Sequence, residues 1–486
     1  MYTQSTLATL LLAGSAAAET IHGVVIFSRH GDRTTKWYGS QQLTSLGAEQ
    51  NFMVGSDYRA RYLNASSPQH ILGMSEDQYV RTQVFASAPN QPILQNTATA
   101  FLQGLYPPLK DLDPELASQT LNNGSESESP LDGYQYVVLQ GVSDNSPDTI
   151  WIKGDDACPA YKNASKSFMQ SEEFKQRDEE TRDFYSGFYD VLKDGVYNIK
   201  PENMTYANAY NIFDLINVAR IHNESSPAVN VSDSDLDQLR TLSDSAEFGL
   251  NYNKSQSARS IGADTLSGAV LSHLNQTVAS EGKTKFALLA GSYDTFLAFF
   301  GNTGLTEVSE DFYGLPDYAS TMAFELFTDD DTDSFPEDKS DLKVRWMFRN
   351  GTAGELKAFP LFGSDETALP YSDFVDEMDK RAVSDVGTWC DKCGSTDDFC
   401  AAYQKEDGSA NSESDESENG GKSGKGGMSN AVAGVIGAVV TLAVVAIVGG
   451  AAFLFMRKRR GNAASAPVME KRPSVGSGSG DSAGRV

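Results

Sequence analysis

The apolar run Val24-Val25-Ile26-Phe27 is continuous rather than alternating, and it ends abruptly in the polar segment Ser28-Arg29-His30-Gly31-Asp32-Arg33-Thr34. A short unbroken run of this kind predicts a strand buried on both faces, as in a parallel sheet. The pattern then changes to a helical period, with Leu46, Met53, Val54, Tyr58 and Tyr62 predicting a helix over 45–62. Positions 83–88 read as a strand, 93–105 as a helix, and 137–139 and 149–152 as short strands. Helices are predicted over 184–192, 207–222 and 265–274, the second with Ile212, Leu215, Ile216 and Ala219 on one face. His222 reads as a helix-end or surface histidine rather than a metal ligand, and His273 as lying on an exposed side. A second unbroken apolar run, 286–290 after Lys285, predicts another buried strand, which turns through Gly291-Ser292-Tyr293-Asp294 into a helix from Thr295. Positions 318–327 read as helical and 342–350 as a strand. Strands alternating with helices in this way predict an α/β fold, a central, mostly parallel sheet flanked by helices. There is no internal repeat.

The two ends of the chain follow a different pattern. Residues 1–18 combine an apolar stretch with Ala16-Ala17-Ala18, which predicts a secretory signal peptide. Residues 431–456 contain no charged side chain, and 26 residues in a helix, at ~1.5 Å each, exceed a ~30 Å hydrocarbon core. Arg457-Lys458-Arg459-Arg460 follows at once. The positive-inside rule then predicts a single-pass type I membrane protein, its body extracellular or luminal and its tail, 457–486, cytoplasmic. Residues 405–427, rich in Ser, Glu and Gly, predict a flexible acidic stalk.

Charge and cysteine usage agree with that topology. The formal net charge is −27, and the basic tail leaves the body more acidic still, which argues against a nucleic-acid partner. Nine Asn-x-Ser/Thr sequons, at Asn64, Asn123, Asn163, Asn203, Asn223, Asn230, Asn253, Asn275 and Asn350, all precede the apolar span and predict a glycosylated ectodomain. Four cysteines, Cys158, Cys390, Cys393 and Cys400, read as two disulfides in an oxidising compartment. Three pairings are open, and in each Cys158 joins one of the late cysteines. With no histidine beside Cys400, a zinc site is not expected.

The polar segment after the first strand carries the candidate chemistry. Guanidinium groups match phosphate oxygens bidentately and stay charged at any biological pH. A neutral imidazole held between Arg29 and Arg33 can attack phosphorus and carry the phosphoryl group. Gly31 lets the backbone turn closely beside the anion. The carboxyl end of a buried strand is also where open α/β sheets bind ligands.

At these residues the chain resembles the histidine acid phosphatases, a branch of the phosphoglycerate-mutase-like superfamily. Fungal phytases share the pattern, and Asp32-Arg33-Thr34 is more similar to the general acid phosphatases. Further similarity lies in Leu43-Thr44-x-x-Gly47, Arg59-x-Arg61-Tyr62, Gly104-Leu105-Tyr106-Pro107 and Cys158-Pro159-Ala160-Tyr161, so the resemblance covers most of 20–404. It implies His30 as nucleophile, Arg29 and Arg33 as phosphate ligands, Asp294 as the acid that protonates the leaving group, and a mainly helical cap inserted over roughly 155–275. Residues 19–404 would form the ectodomain, a phosphomonoester the substrate, and no metal or cofactor would be needed. Two family features are missing. The third arginine expected in the first turn of the 93–105 helix is replaced by Ile93, and Arg81 precedes the strand, ~20 Å from its carboxyl end. The histidine of the family's His-Asp pair is Tyr293, which can give a neutral hydrogen bond but no imidazolium charge. The expected function is an acid phosphomonoester hydrolase working through a phosphohistidine. The alternative is a catalytically weak or inactive phosphatase-like surface protein that binds a phosphorylated ligand.

Overall fold

A computed structural model describes residues 19–193 and 197–403. The expected signal at 1–18, stalk at 405–427, span at 431–456 and tail at 457–486 lie outside the described residues. Among the described residues no helix is long and apolar enough to cross a membrane.

Eight strands form the main sheet: β1 (Thr20–Arg29), β2 (Val84–Pro89), β3 (Gln140–Val142), β4 (Phe286–Gly291), β5 (Thr321–Thr328), β6 (Lys343–Arg349), β7 (Lys357–Ala358) and β8 (Ala368–Pro370), in the order β8-β6-β5-β1-β4-β2-β3, with β7 paired to β6. The run β1-β4-β2-β3 is parallel. Beyond β1, strands β5, β6 and β8 are added antiparallel. The helices used below are α1 (Ser45–Tyr62), α2 (Pro92–Leu105), α3 (Ile150–Lys153), α4 (Pro159–Met169), α5 (Glu172–Ser186), α6 (Ala209–His222), α7 (Asp233–Asn251), α8 (Ile261–Ala279), α9 (Tyr293–Asn302) and α10 (Val386–Cys393).

Strand β1 is buried at all ten residues because both sheet faces are covered. Side chains alternate across a strand, so Val25 and Phe27 join Leu289 and helices α8 and α9 in one core. Val24 and Ile26 join Leu288 and helices α1 and α2 in the other. Helices α4 to α7 share a separate apolar core around Phe168, Phe174, Tyr185, Leu215 and Leu239. Helix α8, grouped with the cap by sequence, packs on the sheet through Leu266, Val270 and Leu274. The four cysteines pair as Cys158–Cys393 and Cys390–Cys400, which ties the start of α4 to α10. Each of the nine sequon asparagines is exposed or half-buried.

Five expectations are corrected. Residues 149–152 are helical as part of the turn into α3, because Pro147 opens a helical turn and Gly154 ends it, despite the β-branched composition. The strand expected at 137–139 lies three residues later, at β3. The span 318–327 is not helical: residues 318–320 make a turn and 321–327 lie in strand β5. Glu325 interrupts its apolar run, yet it is fully buried because Arg61, Arg345 and Tyr62 all donate to its carboxylate. His273 packs on the Phe85 ring at 4.5 Å instead of facing solvent, and Leu46 and Met53 of α1 point outward.

Candidate active site

The register of β1 on β4 pairs Arg29 with Gly291, so the loops after the two strands leave the sheet side by side. Two segments far apart in sequence, Arg29-His30-Gly31-Asp32-Arg33 and Tyr293-Asp294, are thereby brought together at the carboxyl edge of the parallel strands.

Helix α1 holds the first loop in place. Gly31 N–H donates to Asn51 Oδ1 at 2.7 Å, Asn51 Nδ2 donates to the Arg29 carbonyl at 3.2 Å, and Asp32 N–H donates to Gln50 Oε1 at 2.7 Å. The glycine at 31 has a steric cause that its sequence neighbours do not reveal. A Cβ there would lie 2.2 Å from the Gly47 carbonyl oxygen, and one on Gly47 would lie 2.0 Å from the Asp32 carbonyl oxygen. Both must lack a side chain for α1 to press against the loop.

His30 is buried, and its Nδ1–H donates to the Gly31 carbonyl at 2.9 Å. A carbonyl only accepts, so this bond fixes the tautomer and leaves Nε2 with a free lone pair. Burial first, and then the charges of Arg29 and Arg33, hold the His30 pKa well below its ordinary value. The imidazole is neutral, the form a nucleophile needs.

The two arginines differ. Arg29 donates to the Pro316 carbonyl and lies over the rings of Tyr318, at 4.8 Å, and Tyr293, at 5.3 Å. Arg33 is fully buried against helix α6. Its Nη1 donates to Asp214 Oδ1 at 2.9 Å and Oδ2 at 3.2 Å, and its Nη2 donates to Tyr210 Oη at 2.8 Å. Asp214 also accepts from Thr35 Oγ1 at 2.7 Å and Lys36 N at 2.8 Å. The Nε of Arg29 and the Nε of Arg33 are buried donors with no acceptor among the described residues. Two orphaned guanidinium N–H groups flanking a neutral imidazole match an anion, since buried donors are otherwise paired.

His222, expected as a capping or surface residue, sits on the last turn of α6, and its Nε2 donates to Asp32 Oδ1 at 2.6 Å. Tyr210, Asp214 and His222 therefore fasten one helix onto the loop after β1. The signal was present: Tyr210 and Asp214 are four residues apart, a helical spacing that puts both on one side of α6.

The loop after β4 is built around Tyr293 and Asp294. Tyr293 stacks on Tyr210 at 5.0 Å, donates to Glu247 Oε2 at 2.9 Å and accepts from Lys36 Nζ at 3.2 Å. Asp294 lies 3.6 Å from Lys153 Nζ, and its Oδ1 accepts from Thr295 N–H at 3.1 Å. Burial pushes its carboxyl pKa up, but Lys153 and Lys36 outweigh that and hold it below the ordinary value. Ile93, where the third arginine was expected, is buried in the core beneath α2. Among the described residues no cluster of His, Cys, Asp and Glu is placed to hold a metal. A cleft lined by Arg29, Gln50, Tyr210, Asp214, Tyr318 and Asn350 reaches the site from the side of α6, and neither His30 nor Asp294 lines it.

A family model described as the histidine phosphatase superfamily, branch 2, matches residues 34–347, beginning just after Arg33. Lysosomal acid phosphatase of Xenopus laevis is 24% identical over 400 residues, covering 78% of this chain and 80% of that protein. Prostatic acid phosphatase of Bos taurus is 22% identical over 387 residues, 75% and 86% of the two chains. Among solved structures, the apo form of a Hafnia alvei phytase matches with a TM-score of 0.48 at 13% identity, covering 76% of this chain and 98% of that one.

Proposed function

Because the chain belongs to the histidine phosphatase superfamily, branch 2, we propose that it is an acid phosphomonoester hydrolase with His30 as its nucleophile. The carrying observation is the neutral His30 imidazole, its Nδ1–H fixed on the Gly31 carbonyl, under the charges of Arg29 and Arg33, whose buried Nε–H groups have no acceptor among the described residues. In this reading Nε2 attacks phosphorus in line with the ester oxygen. Arg29 and Arg33 each direct an Nε–H at the phosphoryl oxygens and stabilise the charge that develops there. Asp294 gives a proton to the leaving oxygen as the P–O bond breaks. Water then attacks the phosphohistidine, returns a proton to the carboxyl and frees His30. The protein acts in the secretory pathway as a glycosylated type I membrane protein, a reading supported by the sequence at 1–18 and 431–460 and by the surface positions of the nine sequons.

One observation favours a second reading, a weakly active or inactive protein that binds a phosphorylated ligand. The terminal nitrogens of Arg33 are occupied by Asp214 and Tyr210, and the two absent ligands, at Ile93 and Tyr293, leave Arg29 as the less encumbered guanidinium. The test is to express residues 19–404 as secreted protein, assay an aryl phosphate across pH, and quench for acid-labile phosphate on the protein. Phosphate trapped on wild type and absent from His30→Ala supports the hydrolase. Folded protein with no turnover and no trapped phosphate, yet measurable binding of inorganic phosphate, supports the second reading.

A further inference from the structure

The end of α3 and the turn into α4 bring three charged side chains, Lys153, Asp155 and Asp156, to the side of Asp294. Lys153 is buried, and its Nζ lies 3.6 Å from Asp294 Oδ2 and 3.6 Å from Asp156 Oδ2. Asp155 is buried as well, and its Oδ1 has no hydrogen-bond partner among the described residues. The carboxyl faces α9: a Cβ on Gly262 would lie 3.4 Å from Asp155 Oδ1 and 3.6 Å from the hydroxyl of Thr295, the residue after Asp294. The Asp155 and Asp294 carboxyls are within hydrogen-bonding reach of each other.

Two carboxylates can share a hydrogen bond only if one of them is protonated. The charge count points the same way. Lys153 and Lys36 together face the carboxyls of Asp155, Asp294 and Glu247, so one proton on the Asp155–Asp294 pair balances the group, whereas full ionisation would leave an uncompensated negative charge. From this arrangement we infer that Asp155 is the positioning residue of the leaving-group acid, holding a shared proton on the Asp155–Asp294 pair. The inference rests on the reading of Asp294 as that acid.

Other charges surround the pair. Lys36 faces Asp294 from the nucleophile loop, Glu247 faces it from α7, Tyr161 of α4 lies beside both carboxyls, and Asp156 is exposed at the rim. Alone between Lys153 and Lys36, Asp294 would give up its proton below the ordinary carboxylate range. Burial, followed by the charge of Asp294, pushes Asp155 up to about 8. The pair therefore keeps one proton where an isolated Asp294 would have none. In the reaction that proton moves to the ester oxygen through Asp294 as the bond from His30 Nε2 to phosphorus forms. The pair is then doubly ionised and recovers a proton from the water that cleaves the phosphohistidine.

The test compares an alkyl phosphate, whose leaving oxygen needs a proton, with p-nitrophenyl phosphate, whose leaving group needs far less. On the alkyl ester, wild-type kcat should hold to a pH well above the ordinary carboxylate range before it falls. Asp155→Asn should move that alkaline limb toward acid by at least about one pH unit, and should move it less on the aryl ester. If Asp155→Asn does not fold, Asp155→Ser carries the same comparison. A wild-type alkaline limb already at an ordinary carboxylate pKa, or an unmoved limb in the folded variant, overturns the inference while the trapped phosphohistidine still stands. No phosphohistidine on wild type removes the underlying reading and the inference together.

Discussion

The two loops of the site sit on neighbouring parallel strands and are made in opposite ways. The loop after β1 holds its chemistry in five consecutive residues, Arg29 to Arg33. The loop after β4 contributes only Tyr293 and Asp294, and the charges that act on them come from elsewhere: Lys36 beside Tyr293, Glu247 from α7, Lys153 and Asp155 ahead of α4. The loop after β1 is complete as a motif, yet one of its arginines is held by an internal carboxylate, Asp214. The loop after β4 is sparse as a motif and surrounded by charge in three dimensions. A local motif reports which groups are present and says little about which of their hydrogen bonds are free.

The largest effect should separate the loops by chemistry. His30→Ala should lower turnover of any ester by roughly four orders of magnitude and abolish trapped phosphate, as expected when a nucleophile is removed. Asp294→Asn should still accumulate phosphohistidine from an aryl ester while losing most turnover of an alkyl ester. Rapid-quench measurement on both variants checks this. Equal losses on both esters for Asp294→Asn would erase the distinction between the loops.

The next effect concerns Arg33. Its guanidinium and the Asp214 carboxylate are both buried, and removing one member of such a pair leaves an uncompensated charge. Asp214→Ala should cost about 3–5 kcal/mol of stability, read by denaturant unfolding. Arg29 has no carboxylate partner among the described residues, so Arg29→Ala should cost far less stability and act mainly on activity. Similar unfolding midpoints for the two variants would show that Arg33 is as available to phosphate as Arg29.

How much of this was legible in the sequence follows from the range of each interaction. The buried strands β1 and β4 and helix α1 were legible because burial on two faces and helical period are written locally. The antiparallel β5 was not, because its central Glu325 reads as solvent-facing until Arg61 and Arg345, 264 and 20 residues away, are known. His30 and Asp294, the proposed nucleophile and acid, were legible as residue types at strand ends. Asp214, His222, Lys153 and Asp155 were not, since their roles come from contacts made by the helical insert and by the turn ahead of it. Helical period puts His222 at a helix end, where it is, but its partner Asp32 lies 190 residues away.

A smaller effect sharpens the contrast at Tyr293. Tyr293→His would offer an imidazole between Lys36 and Glu247, with Glu247 able to stabilise its protonated form. A charge-assisted hydrogen bond exceeds a neutral one by about 1 kcal/mol, so inhibition by inorganic phosphate should tighten by roughly fivefold at acidic pH. No change would mean that the loop after β4 contributes no phosphate contact at residue 293, and that Lys36 already supplies the positive charge there.

The smallest effect keeps these pH experiments interpretable. His273 lies outside both loops, under β2 against Phe85, and burial lowers its pKa to about 4 from an ordinary 6.5. The sign follows from linkage. Between about 6.5 and 4 the unfolded chain takes up a proton there that the folded chain refuses, so stability falls as the pH is lowered through that window and the loss is complete below it. Burial, aided by Lys285 and Lys339, lowers His22 in the same way, to about 4. His273→Leu should remove its share, roughly 1–2 kcal/mol of the difference in unfolding free energy between pH 7.5 and 4.5, while the alkaline limb of kcat stays where it is. If that limb moved in His273→Leu, the pH dependence assigned to the loop after β4 would be a stability effect of the scaffold, and the chemical contrast between the two loops would have to be drawn from phosphohistidine trapping alone.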